Sequence, residues 1–162
     1  MKSALLVFLW LLVVPVVWAE TGWKDYTNAR FGFKVSYPAS LIAGPVSVNG
    51  DGREFYSKDK EFQFTATGHF LNGNTLESFW QEDLKSAGET ITYKKKAANW
   101  YVVSGVSDGS EFYRTVHVKD GNWAELSFTY PHAKASQYDP WVEKIVKSFV
   151  PFLKGDYDRI VP

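Results

Sequence analysis

Residues 99–130 read NWYVVSGVSDGSEFYRTVHVKDGNWAELSFTY, and this stretch decides the fold. Three apolar-rich runs, at about 99–106, 111–119 and 122–130, are separated by Asp108-Gly109 and Asp120-Gly121. Asp-Gly tolerates the positive φ angles of a two-residue hairpin turn. The stretch therefore predicts consecutive antiparallel strands. Trp100-Tyr101-Val102-Val103 is apolar on both faces, which predicts a central strand.

Working outward, a further strand is expected at about 90–96. It ends in Lys94-Lys95-Lys96, whose side chains alternate faces and would blunt a sheet edge. Upstream, Phe31, Phe33, Val35 and Tyr37 alternate with small or polar residues until Pro38. Asp51-Gly52 turns into a short run at Glu54–Ser57, and Phe62, Phe64, Ala66 and Phe70 alternate with Gln63, Thr65, Thr67 and His69. Leu76, Phe79, Trp80, Leu84 and Ala87 recur at helical spacing, with Asn74 and Glu77 as a capping box and Gly88 as a stop. A last helix is expected from Asp139-Pro140, with Trp141, Ile145 and Phe149 on one stripe and Pro151 closing it. Trp80 and Trp141 are expected to be mostly buried. The order is β-β-β-α-β-β-β-β-α. This is the α+β class: an antiparallel, twisted sheet of about six to seven strands with helices packed on it.

The chain has 162 residues, which suits one domain. Residues 1–19 read as a signal peptide: Lys2, an apolar run from Ala4 to Val14, Pro15, then a cleavage point between Ala19 and Glu20. A single α+β domain follows at 20–154, with a C-terminal tail at 155–162. The expected location is a bacterial periplasm or the exterior, with no stable membrane span after cleavage. An uncleaved anchor is the alternative, because the apolar run approaches the roughly 20 residues a bilayer needs. There are no cysteines, which excludes disulfides, thiolate metal sites and a cysteine nucleophile. The 18 basic and 18 acidic residues balance, which argues against a nucleic-acid partner.

Candidate chemistry is sparse. Gly105-Val-Ser107-Asp-Gly109 matches the G-x-S-x-G nucleophile string, and Asp120 and His132 follow it. That string works where a strand turns into a helix, and here it joins two strands. A hairpin turn is the favoured reading. His69, His117 and His132 have no metal-ligand spacing, so no metal and no cofactor is expected. Glu111 and Glu125 cannot be assigned as a hydrolytic carboxylate pair from spacing alone. Trp123 follows a turn and could stack a ligand or anchor a partner. Alternation puts Gln63, Thr65, Thr67 and His69 on one face, and likewise Tyr113, Thr115 and His117, and Glu125, Ser127 and Thr129. If these strands are neighbours, Thr67, His69, Tyr113, Thr115, His117 and Ser127 form one hydroxyl-rich face with a tyrosine and two histidines. That face is the expected docking site for an envelope protein or a small polar ligand.

Tyr26-Thr-Asn-Ala-Arg-Phe-Gly-Phe-Lys-Val-Ser-Tyr-Pro38, Phe112-Tyr113-Arg114 and Tyr138-Asp139-Pro140 with Lys147-Ser148-Phe149 resemble small bacterial secreted proteins with the PsbP-like fold. The resemblance covers most of 25–150. That fold is shared by the PsbP subunit of photosystem II and the Ran-binding Mog protein. The resemblance implies an antiparallel sheet with helices on it and a binding or accessory role. It matches no family active site. The expected function is thus a non-catalytic binding or accessory protein of the bacterial envelope. The alternative is a small secreted hydrolase using Ser107 or a carboxylate.

Overall fold

The computed structural model describes residues 22–87 and 90–154. The expected leader with its Ala19/Glu20 cleavage point, the expected Gly88 stop and the expected 155–162 tail lie outside them. The described residues form nine strands: β1 (Trp23–Asn28), β2 (Phe33–Pro38), β3 (Ile42–Val46), β4 (Gly52–Tyr56), β5 (Gln63–Phe70), β6 (Ile91–Lys96), β7 (Trp100–Ser107), β8 (Ser110–Lys119) and β9 (Asn122–Pro131). Helix α1 spans Leu76–Ala87 and α2 spans Ala135–Ser148. Strands β3 to β9 form one antiparallel sheet in the order β3-β4-β5-β9-β8-β7-β6, while β1 and β2 pair separately. The class and the order of strands and helices are those expected, with β1 and β3 as additional strands before α1. Their sequences hide them: β1 is mostly polar, and β3 contains Gly44-Pro45, residues that read as a turn.

The Asp-Gly pairs make the expected hairpins. Asp108 and Gly109 have φ of 50° and 77°, and Asp120 and Gly121 have 48° and 77°. β9 is the centre of the sheet, bonded along its length to β5 on one side and β8 on the other. β7 is next to the edge, not central. It is apolar on both sides because α1 covers Tyr101 and Val103 on one face while Val102 is buried on the other. β6 is the edge, so the lysine run does sit where it would discourage strand addition.

The main core lies between one face of the sheet, α2 and the β1–β2 pair. Phe64 stacks on Phe55 at 4.6 Å and on Phe128 at 5.2 Å, and Phe62 meets Tyr138 of α2 at 5.1 Å. α2 begins one turn before the expected Asp139-Pro140 start, so Pro140 lies inside it. The earlier start brings Tyr138 into the core, where it is 2% exposed. α1 covers the opposite face over β7 and β8. Its cap is Thr75 with Ser78, each side-chain oxygen accepting from the other's backbone N–H, in place of Asn74 with Glu77. Trp80 and Trp141 are only half-buried, each at the margin of its core.

Phe64 is 1% exposed and stacked on both sides. Phe64→Ala is expected to cost about 3–5 kcal/mol in urea unfolding, the range for aromatic truncation in a core. Trp80→Ala, at a margin, is expected to cost clearly less in the same measurement.

Candidate functional site

The strand register divides the six expected site residues into two groups. β5 faces β9 as Thr65↔Ser127, Thr67↔Glu125 and His69↔Trp123, so Thr67, His69 and Ser127 do share a face. β8 faces β9 as Tyr113↔Phe128, Thr115↔Leu126 and His117↔Ala124. Tyr113, Thr115 and His117 therefore project from the opposite face, the one that carries the core. The single expected hydroxyl face is corrected to two. Side chains alternate with a period of two, so a shift of one residue in pairing exchanges faces, and alternation within a strand cannot fix its parity against a neighbour.

The three residues on the core face are structural. Tyr113 packs edge-on to Phe128 at 5.7 Å, and partial burial pushes its phenol up to about 12. Thr115 is buried and donates its hydroxyl to the Tyr101 carbonyl at 3.0 Å. With that proton committed, Thr115 accepts from His117 Nε2 at 3.2 Å. His117 stacks on Trp100 and meets Phe149 edge-on at 5.6 Å. Burial pulls its imidazole down to about 4.

The other face forms a strip beside α1. Rows run across β4, β5, β9 and β8 as Tyr56–Gln63–Thr129–Phe112, then Glu54–Thr65–Ser127–Arg114, then Gly52–Thr67–Glu125–Val116. α1 lies over β7 and β8 and reaches Trp123 at one end of β9, while the polar side chains on β4, β5 and the rest of β9 are half-exposed or exposed. Gln63, Thr65, Thr67 and Ser127 are half-exposed, and Glu54 and Thr129 are exposed. At one end His69 stacks on Trp123 at 4.7 Å, and Phe79 of α1 packs against Trp123 at 4.9 Å.

The wall of the strip is ionic, and the sequence reading missed it. Arg114 donates from Nη1 to Asp83 of α1, and from Nη2 and Nε to Glu125 Oε2 at 2.8 and 2.9 Å. Tyr101 donates to the second oxygen of Asp83, and Thr67 to Glu125 Oε1 at 3.4 Å. Burial works against the guanidinium's charge, but Glu125 and Asp83 more than offset it, and Arg114 is held above its ordinary range. Burial, with the Asp83 acceptor, raises the Tyr101 phenol far above its usual value. Asp83 carried a signal: it falls on the helical stripe of Leu76, Phe79 and Trp80, and a carboxylate on an apolar stripe needs a buried partner.

The G-x-S-x-G string is explained by the backbone. A Cβ on Gly105 would run into the Thr90 carbonyl oxygen, where the bulged β6 crosses close to β7. Gly109 holds the left-handed turn position. The Ser107 hydroxyl hydrogen-bonds the Asp108 carboxylate, at 3.4 Å. His132 pairs through Nδ1 with Glu111 at 2.6 Å. Register places Ser107 opposite Ser110 on the strip face, whereas Glu111 is opposite Tyr130 on the core face. Glu111 and Glu125 likewise project from opposite faces. The three histidines are dispersed, and among the described residues no group of three His, Cys, Asp or Glu stands close enough to hold a metal.

Three outcomes follow from this geometry. Arg114→Met leaves Asp83 and Glu125 unpaired under α1 and is expected to cost about 3 kcal/mol, the low end for breaking a buried pair because the site is partly open. Adding Asp83→Asn and Glu125→Gln should recover much of that loss in urea unfolding. Gly105→Ala should cost roughly 1–3 kcal/mol through the forced backbone shift, whereas Ser107→Ala should stay within about 0.5 kcal/mol. His117 has a folded pKa near 4, below its ordinary value of 6.5. The unfolded chain therefore takes up a proton that the folded chain refuses. The contribution of His117 is present above pH 6.5 and is lost as pH falls toward 4. Unfolding curves across that window should flatten in His117→Gln relative to the parent.

No family model matches the chain, and no curated protein matches it in sequence. Solved structures do. It is similar to cyanobacterial PsbP from Synechocystis, with a TM-score of 0.60 and 11% identity over 87% of this chain and 99% of that one. It is similar to a Bacteroides thetaiotaomicron protein, with a TM-score of 0.52 and 14% identity over 85% of this chain and 51% of that one. The yeast Ran-binding protein Mog1p gives a TM-score of 0.49 and 12% identity over 80% of this chain and 95% of that one. At such identities the likeness concerns architecture. On the PsbP and Bacteroides matches, the chain has the PsbP-like fold.

Proposed function

We propose that this protein is an exported, non-catalytic binding protein of a bacterial envelope. It engages a partner protein or a small polar ligand along the strip beside α1. The observation that carries this reading is the strip itself: an uncovered sheet face with neutral hydrogen-bonding side chains, a rigid ionic wall and aromatic rings at one end. The hydrolase alternative is not supported by the placement of its parts, since Ser107 and the Glu111–His132 pair lie on opposite faces. The leader at 1–19 supports export, and no helix among the described residues is long and apolar enough to cross a membrane.

Two experiments test the proposal. Protein recovered from the envelope or medium should begin at Glu20 by mass spectrometry, whereas an intact Met1 in washed membranes would mean a retained anchor. A photo-crosslinking residue at Thr65, in the expressing bacterium, should give one adduct of discrete mass. The same residue at Gln81, on the outer side of α1, should give none. Stoichiometric fluorophosphonate labelling that vanishes in Ser107→Ala would replace the binding reading with the hydrolase one.

A further inference from the structure

A second surface, separate from the strip's floor and wall, lies where the β1–β2 and β3–β4 turns meet the end of β5. Two buried contacts fix it. Asn28 is 3% exposed; it accepts from the Phe31 N–H and donates to the Gly50 carbonyl, both at 2.9 Å. Arg30 reaches across and donates to the Asn49 carbonyl, which joins the two turns again. The guanidinium of Arg30 lies 5.1 Å from the Phe31 ring centre and 5.9 Å from that of Phe70, and those rings pack edge-on at 5.1 Å.

Two properties of this end are unusual for a surface with no partner. Large apolar side chains are left in water: Phe70 is 46% exposed, and Val48, on the β3–β4 turn, is fully exposed. The charge beside them is also unbalanced. Arg30 makes no ion pair among the described residues, and neither does Arg53, whose guanidinium lies over the Tyr26 ring. Arg53 Nε is buried without a hydrogen-bond partner. The carboxylate of Asp51 is committed elsewhere, to the Ser47 hydroxyl, and stands 3.6 Å from His69. A guanidinium held in place by rings loses little freedom on binding and presents a fork that fits a carboxylate. The exposed Phe70 ring and Val48 at the same end favour an apolar neighbour on the same segment.

We propose that this end of the sheet docks a protein partner through a segment that carries a carboxylate flanked by apolar side chains. The carboxylate meets Arg30, and the apolar side chains cover Phe70 and Val48. The surface is distinct from the proposed strip, so either can fail without the other.

The test uses the purified protein as isolated from the expressing cell, labelled with nitrogen-15. The probe is a synthetic pentapeptide with glutamate between two leucines, blocked at both ends; the control has glutamine in place of glutamate. The glutamate peptide should produce saturable shifts at the amides of Phe31, Val48, Asn49 and Phe70. The glutamine peptide should bind about tenfold more weakly, the loss of one charge-assisted contact. Arg30→Gln should abolish that difference, and Val48→Ser should weaken both peptides. Val48 has no packing role, so the second variant stays informative if the first disturbs the turns. Equal binding of the two peptides, shifts confined to Thr65, Thr67 and Ser127, or no saturable shift with either peptide would each overturn the proposal. Shifts confined to the strip would at the same time favour the binding reading of that face.

Discussion

The structure depends on the register of β9. This strand is paired with β8 from Asn122 to Pro131 and with β5 from Asn122 to Thr129, and the two-residue turn at Asp120-Gly121 fixes its pairing with β8. That pairing sets Ala124, Leu126, Phe128 and Tyr130 on the core face and Trp123, Glu125, Ser127 and Thr129 on the other. The main core, the strip and the position of Arg114 opposite Ser127 all follow from that parity. A slip of one residue would bury a carboxylate and three polar or bulky groups under α2.

The ionic wall follows from the same parity. Helix α1 covers a small apolar patch of Tyr101, Val103 and Val116, and Arg114 gives it a second, directional attachment through Asp83. Removing water from three charges is unfavourable, and the benefit of the network lies in geometry. It ties α1 to β8 and β9 at one place, beside which the open strip begins.

Much of the fold was legible in the sequence because its signals are local. The hairpins at 108–109 and 120–121, helix α1 and the edge role of Lys94–Lys96 each rest on residues within a few positions of one another. β3 was hidden by Gly44-Pro45, whose turn chemistry its neighbours in the sheet override. Thr67 and His69 were legible together for the same reason, since they alternate within one strand; that Ser127 joins them depends on the parity of β9 against β5, which no local signal fixes. The assignment of Tyr113, Thr115 and His117 failed because the relative parity of two strands is a non-local property. Asp83 is marked by its place on the apolar stripe of α1, but its partner Arg114 lies 31 residues away in sequence, and nothing local joins the two.

The place of β9 at the middle of the sheet also bears on how the chain assembles. The strand that joins the two halves is the last one made. Until residue 122 and those after it are available, the strands of the two halves, β3–β4–β5 and β6–β7–β8, have nothing to join them into one sheet. Pairing β5 with β9 closes a loop from residue 70 to residue 122, and such non-local contacts slow folding relative to helical proteins of similar size. Joining the two halves therefore requires one strand to pair with two edges, β5 on one side and β8 on the other. During that interval the chain is most exposed to association with its own copies, and short, charged or bulged outer strands such as β6 limit that hazard.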